Sequence, residues 1–125
     1  MQIKKILIIE DEEAMLEALV GKLVREGFNV FKAKDGEEGL AVALKERPDL
    51  ILLDIIMPKM DGITMLKKLR EHEWGARAEV IILTNLSDGK SVFEAAKAGV
   101  YDFLIKTGWS INDVAKKVKE RLGVR

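Results

Sequence analysis

Leu50-Ile51-Leu52-Leu53 is an unbroken apolar run that ends in Asp54, with Pro58 four residues further on. A run of this kind reads as a strand buried on both faces, as in the middle of a parallel sheet. Residues 3–9 form another β-branched run, closed by the acidic stretch Glu10-Asp11-Glu12-Glu13. Met15, Leu16, Leu19, Val20, Leu23 and Val24 then recur at helical spacing until Gly27. Residues 28–33 predict a short strand, and Asp35-Gly36 turns the chain into a helix with Leu40, Ala41 and Leu44 inward, ending before Pro48. After the central run, Asp61-Gly62 opens a third helix carrying Ile63, Met65, Leu66 and Leu69, and residues 72–78 loop back. Residues 79–84 read as a fourth strand, and Ser87 or Asp88 can cap a fourth helix that Gly99 ends. Residues 101–105 give a fifth strand, followed by Lys106. The last helix sets Ile111, Val114, Ala115, Val118 and Leu122 on one face, with Lys116, Lys117, Lys119, Glu120 and Arg121 on a solvated one.

Strand and helix alternate five times, a rhythm that predicts a parallel sheet with helices on both faces. Right-handed crossovers then bring every strand's carboxyl end to one edge, the edge where open α/β sheets bind ligands. Glu10, Asp11, Asp54, Thr84 and Lys106 each stand at such an end.

Composition narrows the function classes. The 125 residues predict one domain, 1–125, and 48% hydrophobic with 34% charged residues is a globular balance. Lys+Arg and Asp+Glu both number 21, which argues against nucleic acid as a partner of this domain. The absence of cysteine removes thiolate metal sites and thiol catalysis. No apolar run approaches the ~20 residues of a membrane span, and the amino terminus lacks a signal-peptide core, so a cytoplasmic location is expected.

Three carboxylates at one edge repel one another, and a divalent cation together with Lys106 relieves this. Mg²⁺ suits hard oxygen ligands and binds through one or two carboxylates plus waters and phosphate oxygens. A carboxylate beside Mg²⁺ is a competent nucleophile toward phosphorus, and Asp54 is the candidate. Metal and Lys106 would neutralise the transferring group, and the Thr84 hydroxyl could donate to a phosphoryl oxygen. Each residue also has a plainer reading. The acidic run suits a helix dipole, Asp54 and Asp61-Gly62 suit turns, Thr84 a cap, and Lys106 a solvated strand end. None of these explains why the polar residues share one edge. His72 reads as a solvated helix residue, Met15, Met57, Met60 and Met65 as packing, and Trp74 and Trp109 as loop residues.

The stretches Ile8-Ile9-Glu10-Asp11, Leu53-Asp54 with Met57-Pro58 and Asp61-Gly62, Leu83-Thr84 and Ile105-Lys106, in this order, resemble the receiver domains of two-component response regulators over nearly the full chain. The resemblance implies a stand-alone, chemotaxis-Y-like receiver with a doubly wound (βα)5, flavodoxin-like three-layer sandwich and strand order 2-1-3-4-5. It implies phosphorylation of Asp54 by the phosphohistidine of a histidine kinase or phosphotransfer protein, with Asp54, Thr84 and Lys106 at the chemistry. Asp11, Asp54 and the carbonyl of Ile56 would hold Mg²⁺ directly, with Glu10 acting through a bound water. Thr84 and Phe103 would form the switch, altering the surface of the fourth helix, fifth strand and fifth helix for a downstream protein target. With no effector domain after Arg125, output would come by binding another protein or passing the phosphoryl group on, from a monomer or weak dimer that is not a turnover enzyme.

Three positions depart from the family pattern. Thr107 stands where proline usually follows the lysine through a cis bond; a cis non-proline bond costs ~3–4 kcal/mol, which favours a trans bond and a rearranged loop. Asn85 replaces a small residue after the threonine, and Phe103 lacks a hydroxyl. Ile56 and Leu86, at positions that tune acyl-phosphate lifetime in the family, cannot orient water, so slow autodephosphorylation is expected. Three other readings remain open: a degenerate receiver acting as an interaction module, a small Mg²⁺-dependent aspartyl phosphatase, and a flavodoxin-like FMN carrier. The phosphatase usually needs a second carboxylate where Ile56 stands. The FMN carrier needs phosphate-binding amides where the acidic first loop lies.

Overall fold

Alternate residues of the central strands point to opposite faces, and this divides the core in two. A computed structural model of the chain describes residues 3–57, 59–84, 89–105 and 110–124. Strands β1 (Lys5–Ile9), β2 (Asn29–Ala33), β3 (Leu50–Asp54), β4 (Val80–Thr84) and β5 (Phe103–Ile105) form one parallel sheet in the order 2-1-3-4-5. Helices α1 (Glu13–Arg25), α2 (Gly36–Glu46), α3 (Gly62–Arg70), α4 (Gly89–Lys97) and α5 (Ile111–Leu122) connect the strands and follow the last one. Leu7, Ile9, Ile51, Leu53 and Ile82 pack with Met65, Leu66, Leu69 and Ala95 on the α2–α3–α4 face. Ile6, Ile8, Leu52, Ile81 and Leu83 pack with Leu16, Leu19, Leu23, Val114 and Val118 on the α1–α5 face. The expected fold class, strand order and three-layer arrangement are all present.

Element ends differ in informative ways. β1 begins at Lys5, two residues later than the apolar run, and Ile3 is exposed. β5 is only three residues long because its ladder with β4 starts at the Ile82–Phe103 pair, leaving Tyr101 in solvent. A short edge strand limits pairing with other chains.

The inward face of α2 is corrected at one position. Leu40 and Leu44 are half-buried and pack against the core as expected, but Ala41 is exposed, and Gly36, Gly39 and Ala43 are the buried residues. The helix axis lies too close to the sheet for larger residues, since a methyl at Gly39 would run into the side chain of Ile9.

The basic face of α5 is not merely solvated. Lys119 pairs with Glu26 of α1, Lys117 stands 3.4 Å from Asp102, and Arg121 pairs with both Asp102 and Glu79. Lys119 and Lys22 together hold the Glu26 carboxyl below its ordinary value. α5 opens with a capping box: the Ser110 hydroxyl accepts from the Asp113 amide, and the Asp113 carboxylate accepts from the Ser110 amide. Trp74, read as a loop residue, is half-buried against the α2–α3–α4 core, just before a single 3-10 turn at Gly75–Arg77.

Arg70 ties this side together at the sheet's amino edge. Its Nε donates to the carbonyl of Ala98 at 2.7 Å, and its Nη1 donates to the carbonyls of Gly75 and Ala78 at 2.6 and 2.8 Å. One guanidinium thereby joins the end of α3, the turn before β4 and the residue after α4. Arg70→Met removes a charged donor from three carbonyls and is expected to cost about 2 kcal/mol of stability in urea unfolding. Arg70→Lys recovers little of it, because an ammonium cannot reproduce the planar fork.

Candidate functional site

β3 is buried along its whole length, and it carries Asp54 to the end of its ladder with β4, where Asp54 pairs with Leu83. Ile9 pairs with Leu53 on the other side, so Glu10 and Asp54 leave the sheet on adjacent strands. Thr84 follows Leu83 and pairs with Ile105, the residue before Lys106. The strand-end convergence expected from the alternation is therefore realised for Glu10, Asp11, Asp54 and Thr84. Lys106, the fifth member, lies outside the described residues, as do Asn85, Leu86, Ser87, Asp88, Thr107 and Trp109.

Glu10, Asp11 and Asp54 each place one carboxylate oxygen within 4.8 Å of the others. Glu10 is fully buried and Asp54 is 5% exposed, whereas Asp11 faces solvent. The Glu10 Oε2 accepts from the backbone amide of Glu12 at 3.1 Å, which fixes its carboxylate under the start of α1. Thr84 is 7% exposed. Three hard oxygen donors, two of them withdrawn from water and one open, match what a divalent cation such as Mg²⁺ requires. The donor set therefore fits the metal implied by the sequence.

The loop after Asp54 is folded tightly against the strand that precedes it. Gly62, the first residue of α3, donates its amide to the Ile55 carbonyl at 2.7 Å, and an added methyl would strike the Asp54 carbonyl. Asp61 caps α3 by accepting from the Thr64 amide at 2.8 Å. Ile56, two residues beyond Asp54, is 69% exposed. Phe103 is half-buried against the same core cluster as Ala95 of α4.

Two contributors escaped the sequence reading. Asp35-Gly36 and Asp61-Gly62 read there as turns and helix starts, yet both glycines approach the backbone of the loop after Asp54. The repeated Asp-Gly pair was the available signal.

A groove of about 480 Å³ runs between α3 and α4 next to this loop. It is lined in part by Ile56, Met57, Ile63, Lys67 and Glu94, and Lys67 pairs with Glu94 across it at 2.8 Å. The ammonium of Lys67 holds the Glu94 carboxyl below its ordinary value. Among the described residues, no helix is long and apolar enough to cross a membrane.

Comparison with known proteins agrees with this geometry. Residues 6–119 match the family model of the response regulator receiver domain. The alkaline phosphatase synthesis transcriptional regulatory protein PhoP of Bacillus subtilis is 37% identical over 116 residues, covering 93% of this chain and 47% of that protein. The response regulator PleD of Caulobacter vibrioides is 37% identical over 102 residues, covering 82% of this chain and 22% of that protein. The chain thus spans less than half the length of these curated relatives. A CheY-like receiver domain protein from Methanospirillum hungatei superposes with a TM-score of 0.89 at 30% identity, covering 98% of this chain and 95% of that one. CheY in the CheX-CheY-BeF3-Mg complex of Borrelia burgdorferi is also similar, with a TM-score of 0.84 at 30% identity, covering 95% of this chain and 89% of that one. With its strand order, its acidic strand ends and these matches, the chain belongs to the response regulator receiver domain family of two-component signalling.

Proposed function

We propose that Asp54 accepts a phosphoryl group from the phosphohistidine of a histidine kinase or phosphotransfer protein, in a Mg²⁺-dependent step. The observation that carries this reading is the gathering of Glu10, Asp11 and Asp54 within 4.8 Å at the strand ends, beside Thr84. A carboxylate oxygen of Asp54 attacks phosphorus as the bond from phosphorus to the donor's imidazole nitrogen breaks. The nucleophile has no proton to lose, so no general base is needed. Glu10, Asp11, Asp54 and the Ile56 carbonyl are the groups that would hold Mg²⁺. Bound there, the ion supplies positive charge against the phosphoryl oxygens. The Thr84 hydroxyl donates to one such oxygen, and Lys106, which follows Ile105 in sequence, neutralises another. The Mg²⁺-bound, BeF3-bound CheY of Borrelia burgdorferi is a relative of this fold, and BeF3 is therefore a suitable probe here.

The protein is a phosphoacceptor and not a turnover phosphatase, because Ile56 occupies the place of the second carboxylate such an enzyme needs. Phosphorylation biases a two-state equilibrium in which Thr84 and Phe103 rearrange. The surface of α4, β5 and α5 reads out the change to a downstream protein. Phe93, Tyr101 and Ile105 expose apolar area on that surface, as a protein-docking face requires. A cytoplasmic monomer or weak dimer fits this role.

Three measurements test the reading. After incubation with acetyl phosphate and Mg²⁺, intact mass is expected to show one added phosphoryl group on the wild type and none on Asp54→Asn. No gain on the wild type would leave an interaction module in its place. Without metal, Asp54→Asn is expected to be more stable than wild type by ~1–2 kcal/mol, since one of three crowded charges is gone. Added Mg²⁺ should raise the wild-type Tm and not that of the variant. Ile56→Glu or Ile56→Asn is expected to shorten the acyl-phosphate lifetime several-fold, and an unchanged rate of phosphate loss removes Ile56 from the account of its slow hydrolysis.

A further inference from the structure

The loop between Ile55 and Asp61 carries the Ile56 carbonyl, and it is anchored from two helices. At its base, the Gly62 amide of α3 holds the Ile55 carbonyl at 2.7 Å. Farther along, the Gly36 amide of α2 donates to the Met60 carbonyl at 3.1 Å. Gly36 is the first residue of its helix, so its N–H has no partner within that helix; the loop after Asp54 takes it. Lys59, just before Met60, adopts a left-handed backbone with φ +65°, uncommon for a residue with a side chain, and its ammonium stands 3.8 Å from Asp35. Asp35 in turn caps α2 by accepting from the Glu38 amide at 2.8 Å.

Glycine at position 36 is required by space and not by its backbone angles. Among the described residues the glycines with positive φ are Gly27, Gly99 and Gly123, so Gly36 sits in a conformation open to any residue. A methyl there would lie deep inside van der Waals contact with the Met60 carbonyl and 3.1 Å from the Met60 Cβ. The carbonyl is backbone, so the loop itself would have to shift. The buried residues Gly36, Gly39 and Ala43 bring α2 close enough for this contact to form.

We infer that Gly36 is a positioning residue for the metal site: the first turn of α2 seats the 55–61 loop, and thereby the Ile56 carbonyl, beside Glu10, Asp11 and Asp54. This rests on the phosphoacceptor reading above, in which that carbonyl is a metal ligand. It assigns to α2, a helix that contributes no side chain to the chemistry, control over how tightly the cation is held.

The test is a calorimetric Mg²⁺ titration of the full chain as wild type, Gly36→Ala and Gly75→Ala. Gly75 is a matched control, because a methyl there would strike the Leu69 backbone carbonyl, in the turn before β4 at the opposite edge of the sheet. Both variants are expected to lower the Tm. Only Gly36→Ala is expected to weaken Mg²⁺ binding, by about tenfold, the lower end of what residues supporting metal ligands usually contribute. A second readout needs no substitution and so does not depend on the variant folding. Coupling between sites is reciprocal, so Mg²⁺ should slow hydrogen exchange of the Gly36 amide in the wild type. Binding by a folded Gly36→Ala within about twofold of wild type, or a Gly36 amide whose exchange ignores Mg²⁺, overturns the inference alone. A wild type that binds no Mg²⁺ overturns the phosphoacceptor reading, and the inference with it.

Discussion

Asp54 is the last of five buried residues in β3, and the residue is only 5% exposed. Withdrawing a charge that far from water costs several kcal/mol unless donors or an opposite charge meet it. The fold multiplies the difficulty by placing the fully buried Glu10 on the adjoining strand and Asp11 one residue further. Such a concentration is carried by the interactions its carboxylates make and by the stability of the rest of the molecule. Two apolar layers supply that stability, and parallel pairing ensures that the charges gather at one edge and not throughout the core.

The two faces of the sheet are secured differently. On the α1–α5 side, ion pairs from Lys117, Lys119 and Arg121 fasten α5 to α1 and to the residues that precede β4 and β5. On the other side, α4 is tied at its carboxyl end by Arg70 and along its length by the Lys67–Glu94 pair. Its fixed end therefore lies at the amino edge of the sheet, away from the carboxylates. Exposed ion pairs of this kind contribute little each. Arg70 differs because its partners are backbone carbonyls, which a mobile surface side chain cannot replace.

Most of this was legible in the residues. The unbroken run in β3, the spacing of α5 and the strand-end positions of Glu10, Asp11, Asp54 and Thr84 are direct consequences of periodicity, and each held in the structure. What was not legible depends on distance between elements. Hydrophobicity alone turned Ala41 inward, whereas the close approach of α2 to Ile9 selects Gly39 and Ala43 for the sheet-facing side. Lys117, Lys119 and Arg121 of α5 looked solvated because their partners Asp102, Glu26 and Glu79 are remote in sequence.

The capping box at Ser110 bears on how freely the family pattern can drift. Ser110 and Asp113 satisfy two amides of the first turn of α5 from within the helix and its cap. The start of α5 thus carries its own punctuation. The entry to α5 is in this sense self-contained: its first turn is held by residues of the helix and its cap, so changes in the sequence before Ser110 leave those two hydrogen bonds in place.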